Sequence, residues 1–256
     1  MGYPHLSEKS SRLMLKTEQQ QSYQWVQNDG HGYLQLPLLR HPGLWHFFGT
    51  RLFESEGQNG QQPIRLRQVH EDRILHVSEA TAACFASNEP LEGDGLATAM
   101  PNRLLSLSTA DCLPVLLFDP VRRVVSAVHA GWRGTVANIA GKAVAEMVST
   151  YDSNPQDLLV GFGPAIGPCC FEVERDVVEA VGANTAFKDR VLQQKTESKW
   201  QLDLTELNGL QLIEAGVSPA RMATTGLCTS CLPNLFFSYR RDKTKGAGMQ
   251  SGIMLV

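Results

Sequence analysis

No apolar run in this 256-residue chain approaches the roughly 18 to 20 residues needed to cross a bilayer. Its start, Met1 to Gln24, is polar and lacks the apolar core and cleavage site of a secretory signal. Both absences predict a cytoplasmic protein with no membrane partner. An excess of one charge sign is lacking too: 23 basic against 26 acidic side chains leave a net charge of −3. That balance gives no electrostatic reason to expect nucleic acid and favours a small-molecule substrate. Neither a Gly-rich phosphate loop, a dinucleotide fingerprint, an internal repeat nor an interdomain linker is present. One large domain over 25–256 is therefore expected, preceded by a Ser- and Gln-rich mobile arm over 1–24. In a cytoplasmic chain the six cysteines read as thiols, ligands or nucleophiles rather than disulfides.

What is present centres on Leu104 to Ala145. Short apolar runs flank Asp119-Pro120-Val121-Arg122-Arg123, the composition of buried strands joined by a tight turn. After Thr135 the apolar period changes to that of a helix through Val136, Ile139, Ala140, Ala143, Val144, Met147 and Val148, with Thr135 as the expected N-cap. Cys112 and His129 stand at strand ends, where backbone pairing can bring them together as a soft ligand pair. The turn Gly131-Trp132-Arg133-Gly134 would present backbone N–H groups and a guanidinium at a helix N-terminus, which suits an anion.

Elsewhere, Trp45 to Arg51 reads as a strand feeding the polar loop Glu54 to Gln62, with Arg51 either at a site or at a solvated strand end. Ile64 to His70 alternates like a half-buried strand and ends in His70, which by itself reads more readily as a surface histidine than as a ligand. Asp94, between two glycines, reads first as a turn former and second as a partner that orients a ligating imidazole. Leu158 to Gly163 is an expected strand, Pro164 to Phe171 an ordered loop, Asp203 to Ala215 a helix stopped by Gly216, and Gly252 to Val256 a closing strand. Leu235 to Asp242 is expected as a strand ending in Arg240 and Arg241, further candidates for anion contact. Cys169 and Cys170 are adjacent, and adjacent cysteines seldom share one metal. Cys228-Thr229-Ser230-Cys231 has ligand spacing but no second C-x-x-C, so packing or a lone thiol is the expectation. His5, His31, His41, His46 and His76 lack neighbours in ligand spacing.

Taken in order, Gln68-Val69-His70, Asp94-Gly95-Leu96, Ala110-Asp111-Cys112-Leu113-Pro114, Val128-His129-Ala130-Gly131-Trp132-Arg133-Gly134, Ile166-Gly167-Pro168-Cys169-Cys170 and Phe237-Ser238-Tyr239-Arg240-Arg241-Asp242 form a specific series. From about Trp45 to the C-terminus the chain closely resembles the YfiH-like proteins, also called the laccase-domain or polyphenol-oxidase family. That resemblance implies an α+β fold, a single-domain sandwich of mixed sheets flanked by helices. It also implies a zinc ion held by His70, Cys112 and His129 as the catalytic centre, and purine nucleoside phosphorylase activity accompanied by adenosine deaminase activity. The implied partners are purine nucleosides (adenosine, inosine, guanosine, methylthioadenosine) and inorganic phosphate. Arg51, Arg133 and Arg240 are the candidate phosphate contacts. One thiolate with two imidazoles leaves a fourth position open, the pattern of a catalytic rather than a structural zinc.

Three other readings compete. A copper-dependent polyphenol oxidase needs many histidines, typically in H-x-H pairs, whereas this chain has seven and no such pair; a His2Cys site would still take up copper in vitro. A hydrolase that edits peptidoglycan precursors would use Cys112 as nucleophile with a histidine base. A zinc-stabilised binding module would unfold when the metal is removed.

Overall fold

The computed structural model describes residues 22–28, 31–53, 62–85, 90–244 and 246–256. The arm expected over 1–24 and the loop expected over 54–62 lie almost wholly outside them. The fold is the expected α+β sandwich, with three sheets among the described residues.

Its centre is the hairpin of Leu113–Asp119 and Val124–Ala130, in which every residue is buried. Asp119 shapes the connection by accepting the N–H groups of Val121 and Arg122 at 2.8 and 3.0 Å. Leu159–Phe162 and Gly95–Thr98 pair antiparallel on the two sides of this hairpin, and Met222–Thr224 and Ile74–His76 add parallel edges, which gives six strands. The two faces follow the strand period of two. Leu113, Val115 and Leu117 pack under the helix Ile139–Tyr151 through Ile139, Ala143, Val144 and Met147. Leu116 and Phe118 face the other way, onto Phe48, Leu105, Leu107 and Ile253. These last belong to an antiparallel five-stranded sheet in the order Gln24–Asn28, His31–Gln35, Leu44–Gly49, Met249–Leu255 and Leu105–Thr109. A smaller three-stranded sheet, Glu172–Val173, Trp200–Leu202 and Leu192–Gln194, packs with the helices Arg175–Asn184 and Leu204–Glu214 around Phe171, Val181, Leu202 and Leu207. Among the described residues no helix is long and apolar enough to cross a membrane.

Three expectations fail locally, each because side-chain hydrogen bonds outcompete a regular element. Thr135 is no N-cap: it lies inside a short helix, Trp132–Val136, and the long helix begins only after Asn138, which adopts φ 62°. Thr135 is held there by Asn208, which donates to its Oγ1 at 3.0 Å, and by Gln211, which donates to its carbonyl at 2.8 Å. Residues 64–70 make only isolated bridges, Ile64 to Leu105 and Arg67 to Glu92, before the chain turns at His70. Leu235 to Asp242 is not a strand but a loop running into the helical turn Tyr239–Asp242, capped by Ser238. There Asp111 and the Arg241 guanidinium take up backbone groups that a ladder would have used.

Leu116 tests the hairpin's central place, since it is fully buried between Ala127 and Gly161 in register. Leu116→Ala should lower the free energy of denaturant unfolding by about 2–5 kcal/mol. A loss below about 1 kcal/mol would mean that this position is not the packed centre of the sandwich.

Candidate functional site

Cys112 immediately precedes the strand Leu113–Asp119 and His129 is the penultimate residue of Val124–Ala130, so antiparallel pairing sets both at one end of the hairpin. His70 joins them from a loop. The thiol and the two imidazoles form a group whose ligand atoms all lie within 4.8 Å of one another. The two rings meet edge to face with centroids 4.9 Å apart.

Asp94 builds this arrangement. It is fully buried just before the strand Gly95–Thr98. Its Oδ2 accepts the N–H groups of Val69 and Glu71 at 3.1 and 2.9 Å, and its Oδ1 accepts the N–H of His70 at 3.0 Å. Three consecutive donors gathered on one carboxylate hold His70 at φ 63°, a left-handed conformation that side chains other than glycine adopt only at a cost. Oδ1 also meets Nδ1 of His129 at 2.7 Å, which leaves that ring's Nε2 facing the group. Asp94 therefore orients the imidazole, the second of the two roles considered from its sequence, as well as shaping a turn.

Two glycines admit this closeness. A Cβ on Gly131 would stand 3.1 Å from Cys112 Sγ and 3.3 Å from His70 Cδ2, and one on Gly134 would stand 2.7 Å from the carbonyl oxygen of Glu71. The Gly-Trp-Arg-Gly turn thus brings bare backbone against the histidine loop.

Burial alone would push the Cys112 thiol upward, but hydrogen bonds from His129 and His70 outweigh it and bring the pKa down to about 7. For His129 burial opposes the charged form, yet Asp94 and Cys112 together raise its pKa to about 9. Burial also works against the Asp94 carboxylate, and the bonds from His129 and from the Glu71 and His70 backbones overcome it, holding the group below its usual range. Between about pH 7 and 9 the metal-free Cys112 and His129 therefore favour a thiolate beside an imidazolium. A bound cation would replace the imidazolium proton.

The trio opens into a pocket of about 780 Å³, also lined by Trp132, Arg133, Phe171, Tyr239, Arg240 and Lys243. Arg133 lies 4.3 Å over the Trp132 ring, and Arg240 lies 5.3 Å over Phe171 while donating to the Glu172 carbonyl at 2.7 Å. Arg51, grouped with them from the sequence, is elsewhere: it donates to the Pro233 carbonyl, stacks over Phe237 and lines an adjoining pocket of about 280 Å³. Asp111 is the one carboxylate among the described residues lining the larger pocket, and it is engaged by Thr229 Oγ1 at 2.6 Å, Ser238 Oγ at 3.0 Å and the Arg240 N–H at 2.6 Å.

Two other described histidines keep apart from this group. His46 is buried and accepts the Leu36 N–H, with burial and then Arg40 lowering its pKa to about 4, and His76 pairs with Glu146 at 2.8 Å. The cysteines depart from expectation: Cys169, Cys170, Cys228 and Cys231 form a second group with sulfurs all within 4.8 Å. Neither a lone C-x-x-C nor a C-C pair reveals the other, because the two segments lie about 60 residues apart and only the fold brings them together.

Asp94→Asn places an N–H2 where two N–H donors already point, whichever way the amide turns. We expect the His129 pKa to fall from about 9 toward the ordinary histidine value, read by NMR titration of the metal-free protein. Unfolding free energy should drop by about 2–3 kcal/mol. An unchanged His129 titration would remove Asp94 from its orienting role.

Comparison with known proteins bears on the same residues. The sequence model of the family described as multi-copper polyphenol oxidoreductase laccase matches residues 50–256. Purine nucleoside phosphorylase YlmD of Bacillus subtilis is 36% identical over 189 residues, covering 73% of this chain and 68% of the relative. Adenosine deaminase RL5, from an unknown prokaryotic organism, is 36% identical over 179 residues, 68% of each chain. The crystal structure of the Bacillus licheniformis hypothetical protein YfiH superposes with a TM-score of 0.80 at 30% identity, over 91% of this chain and 99% of that one. The match takes in the histidine loop, both hairpin ends and the arginine turn, and the chain belongs to the multi-copper polyphenol oxidoreductase laccase family, that of the YfiH-like proteins.

Proposed function

We propose that this chain is a zinc-dependent purine nucleoside phosphorylase. The observation that carries the reading is that a His2Cys donor set and two aromatic-backed guanidinium groups face one pocket of about 780 Å³, within the usual size range of small-molecule sites. Relatives named for that activity support the substrate class.

The donor set fits zinc: two imidazoles and one low-pKa thiol, with Asp94 fixing one ring from behind. Bound by His70, Cys112 and His129, the ion would supply Lewis-acid charge to a substrate oxygen. In phosphorolysis an oxygen of inorganic phosphate attacks ribose C1′ as the bond from C1′ to the base nitrogen breaks, and its electron pair leaves with the base. Arg133 and Arg240 are the groups that would grip and orient the phosphate. Arg240 spends one donor on the Glu172 carbonyl and keeps the others for an anion. Trp132 and Phe171, each with a guanidinium over one ring face, add apolar lining to the pocket that would hold a purine. Deamination of adenosine is a second activity of the same pocket, supported by the relative named for it.

Native copper oxidation is disfavoured by the donors themselves. Among the described residues, His70 and His129 are the histidines that gather, while His46 and His76 are committed elsewhere. Copper taken up by a His2Cys set reflects ligand affinity rather than function.

Base release from inosine should require phosphate, and chromatography should recover ribose 1-phosphate. Arg133→Ala should cut kcat/KM for phosphate about 10- to 150-fold, matching about 1.5–3 kcal/mol for a charged hydrogen bond. Release indifferent to phosphate would make the enzyme a hydrolase.

Zinc affinity should rise about tenfold per pH unit between pH 7 and 9, because His129 must surrender one proton there, and more steeply below pH 7, where the Cys112 thiol surrenders another. Above pH 9 the gain from these two groups ends. Calorimetric titration in buffers of different ionisation enthalpy counts the protons, and affinity independent of pH would exclude His129 and Cys112 as ligands.

A further inference from the structure

We propose a second metal site in this chain, a closed four-thiolate centre for zinc made by Cys169, Cys170, Cys228 and Cys231. It is separate from the His70, Cys112 and His129 group and does not depend on the nucleoside reading.

The case begins with sulfur spacing. Four sulfurs about 2.3 Å from a tetrahedral zinc stand about 3.8 Å from one another. Here Cys170 and Cys231 are 3.4 Å apart, Cys169 and Cys231 are 3.6 Å apart, and all four sulfurs fall within 4.8 Å. A disulfide would need a separation of about 2.05 Å, and all four are free thiols. The adjacency of Cys169 and Cys170 is no obstacle, because they sit in a turn rather than an extended strand. The N–H groups of Cys170 and Phe171 both donate to the Gly167 carbonyl at 2.9 Å, and both sulfurs reach Cys231.

Surrounding backbone is arranged for the cluster. The two segments are joined where Thr229 donates to the Ala165 carbonyl at 3.0 Å and Ala165 to that of Leu227 at 3.3 Å. The Gly167 N–H donates to Cys228 Sγ at 3.2 Å. A Cβ on Gly167 would stand 3.3 Å from Cys169 Sγ and 3.6 Å from Cys228 Sγ, so the glycine leaves room for the sulfurs. The Arg241 guanidinium donates to the carbonyls of Thr229 and Ser230, between the C-x-x-C ligands, and sets positive charge beside a centre that would carry −2. A pocket of about 230 Å³ bordered by Cys169 and Cys228 gives an ion access from solvent.

With four protein sulfurs the coordination is complete, so the centre is structural rather than catalytic. It clamps one wall of the reaction pocket. Ile166 and Phe171, which line that pocket, flank the C-C pair, and Thr229, within the C-x-x-C, donates to the carboxylate of Asp111 beside Cys112. Binding releases the thiol protons to solvent and involves no change of oxidation state.

The test uses protein prepared without oxidant and loaded with Zn2+ alone. Elemental analysis of Cys228→Ser/Cys231→Ser should show about one equivalent less zinc per chain than the parent. His129→Ala should lose the other equivalent while the four cysteines stay protected. A measurement on the parent stands if the double variant fails to fold: alkylation followed by mass spectrometry should find Cys169, Cys170, Cys228 and Cys231 at least tenfold slower to react with zinc than after chelation. Unchanged zinc in the double variant, alkylation rates indifferent to zinc, or a disulfide among the four in the oxidant-free protein would each overturn the proposal.

Discussion

A single buried carboxylate determines the geometry of the site. Asp94 uses both oxygens on three consecutive N–H groups and one imidazole, and its backbone carbonyl accepts the His129 N–H at 2.7 Å. It therefore grips His129 twice, through main chain and ring, and draws the histidine loop onto the sheet with the same group. A buried charge is tolerated only when its lone pairs are satisfied, and here the groups that satisfy them are the candidate donors' own supports. Pairing of the central hairpin brings Cys112 to the same place independently, so the site is assembled from one strand register and one carboxylate.

Much of the fold was legible because its strongest signals are local. The all-buried runs around Leu113 to Phe118 and Val124 to Val128, the Asp119 turn, and the helical spacing from Ile139 to Met147 each report their structure within a dozen residues. Failures fell where distant side chains capture backbone groups. Nothing near Thr135 announces Asn208 and Gln211, and nothing in Leu235 to Asp242 announces that Asp111, more than a hundred residues earlier, will accept its N–H and hydroxyl groups. Regular alternation in Ile64 to His70 was overridden in the same way by Asp94.

At the site, Cys112, His129 and His70 were visible as chemistry at element ends, and the family's motif series added His70's place beside the other two. Arg133 and Arg240 line the larger pocket, whereas Arg51 lines the adjoining one, held by Phe237 and the Pro233 carbonyl. The cysteine group was illegible for a topological reason: its halves come after two neighbouring parallel strands, Leu159–Phe162 and Met222–Thr224, that are far apart in sequence. Parallel neighbours send their outgoing loops to the same end of the sheet, so the two half-motifs are delivered together.

Gly131 and Gly134 have an evolutionary consequence. At both positions main chain faces the histidine group, and an added methyl would crowd Cys112 and His70 at Gly131 or collide with the Glu71 carbonyl at Gly134. A larger residue at either position would press on the support of the His70, Cys112 and His129 group rather than reshape the pocket. Changes of pocket shape that leave this core alone would fall instead to other lining positions, such as Thr244 and Ala247.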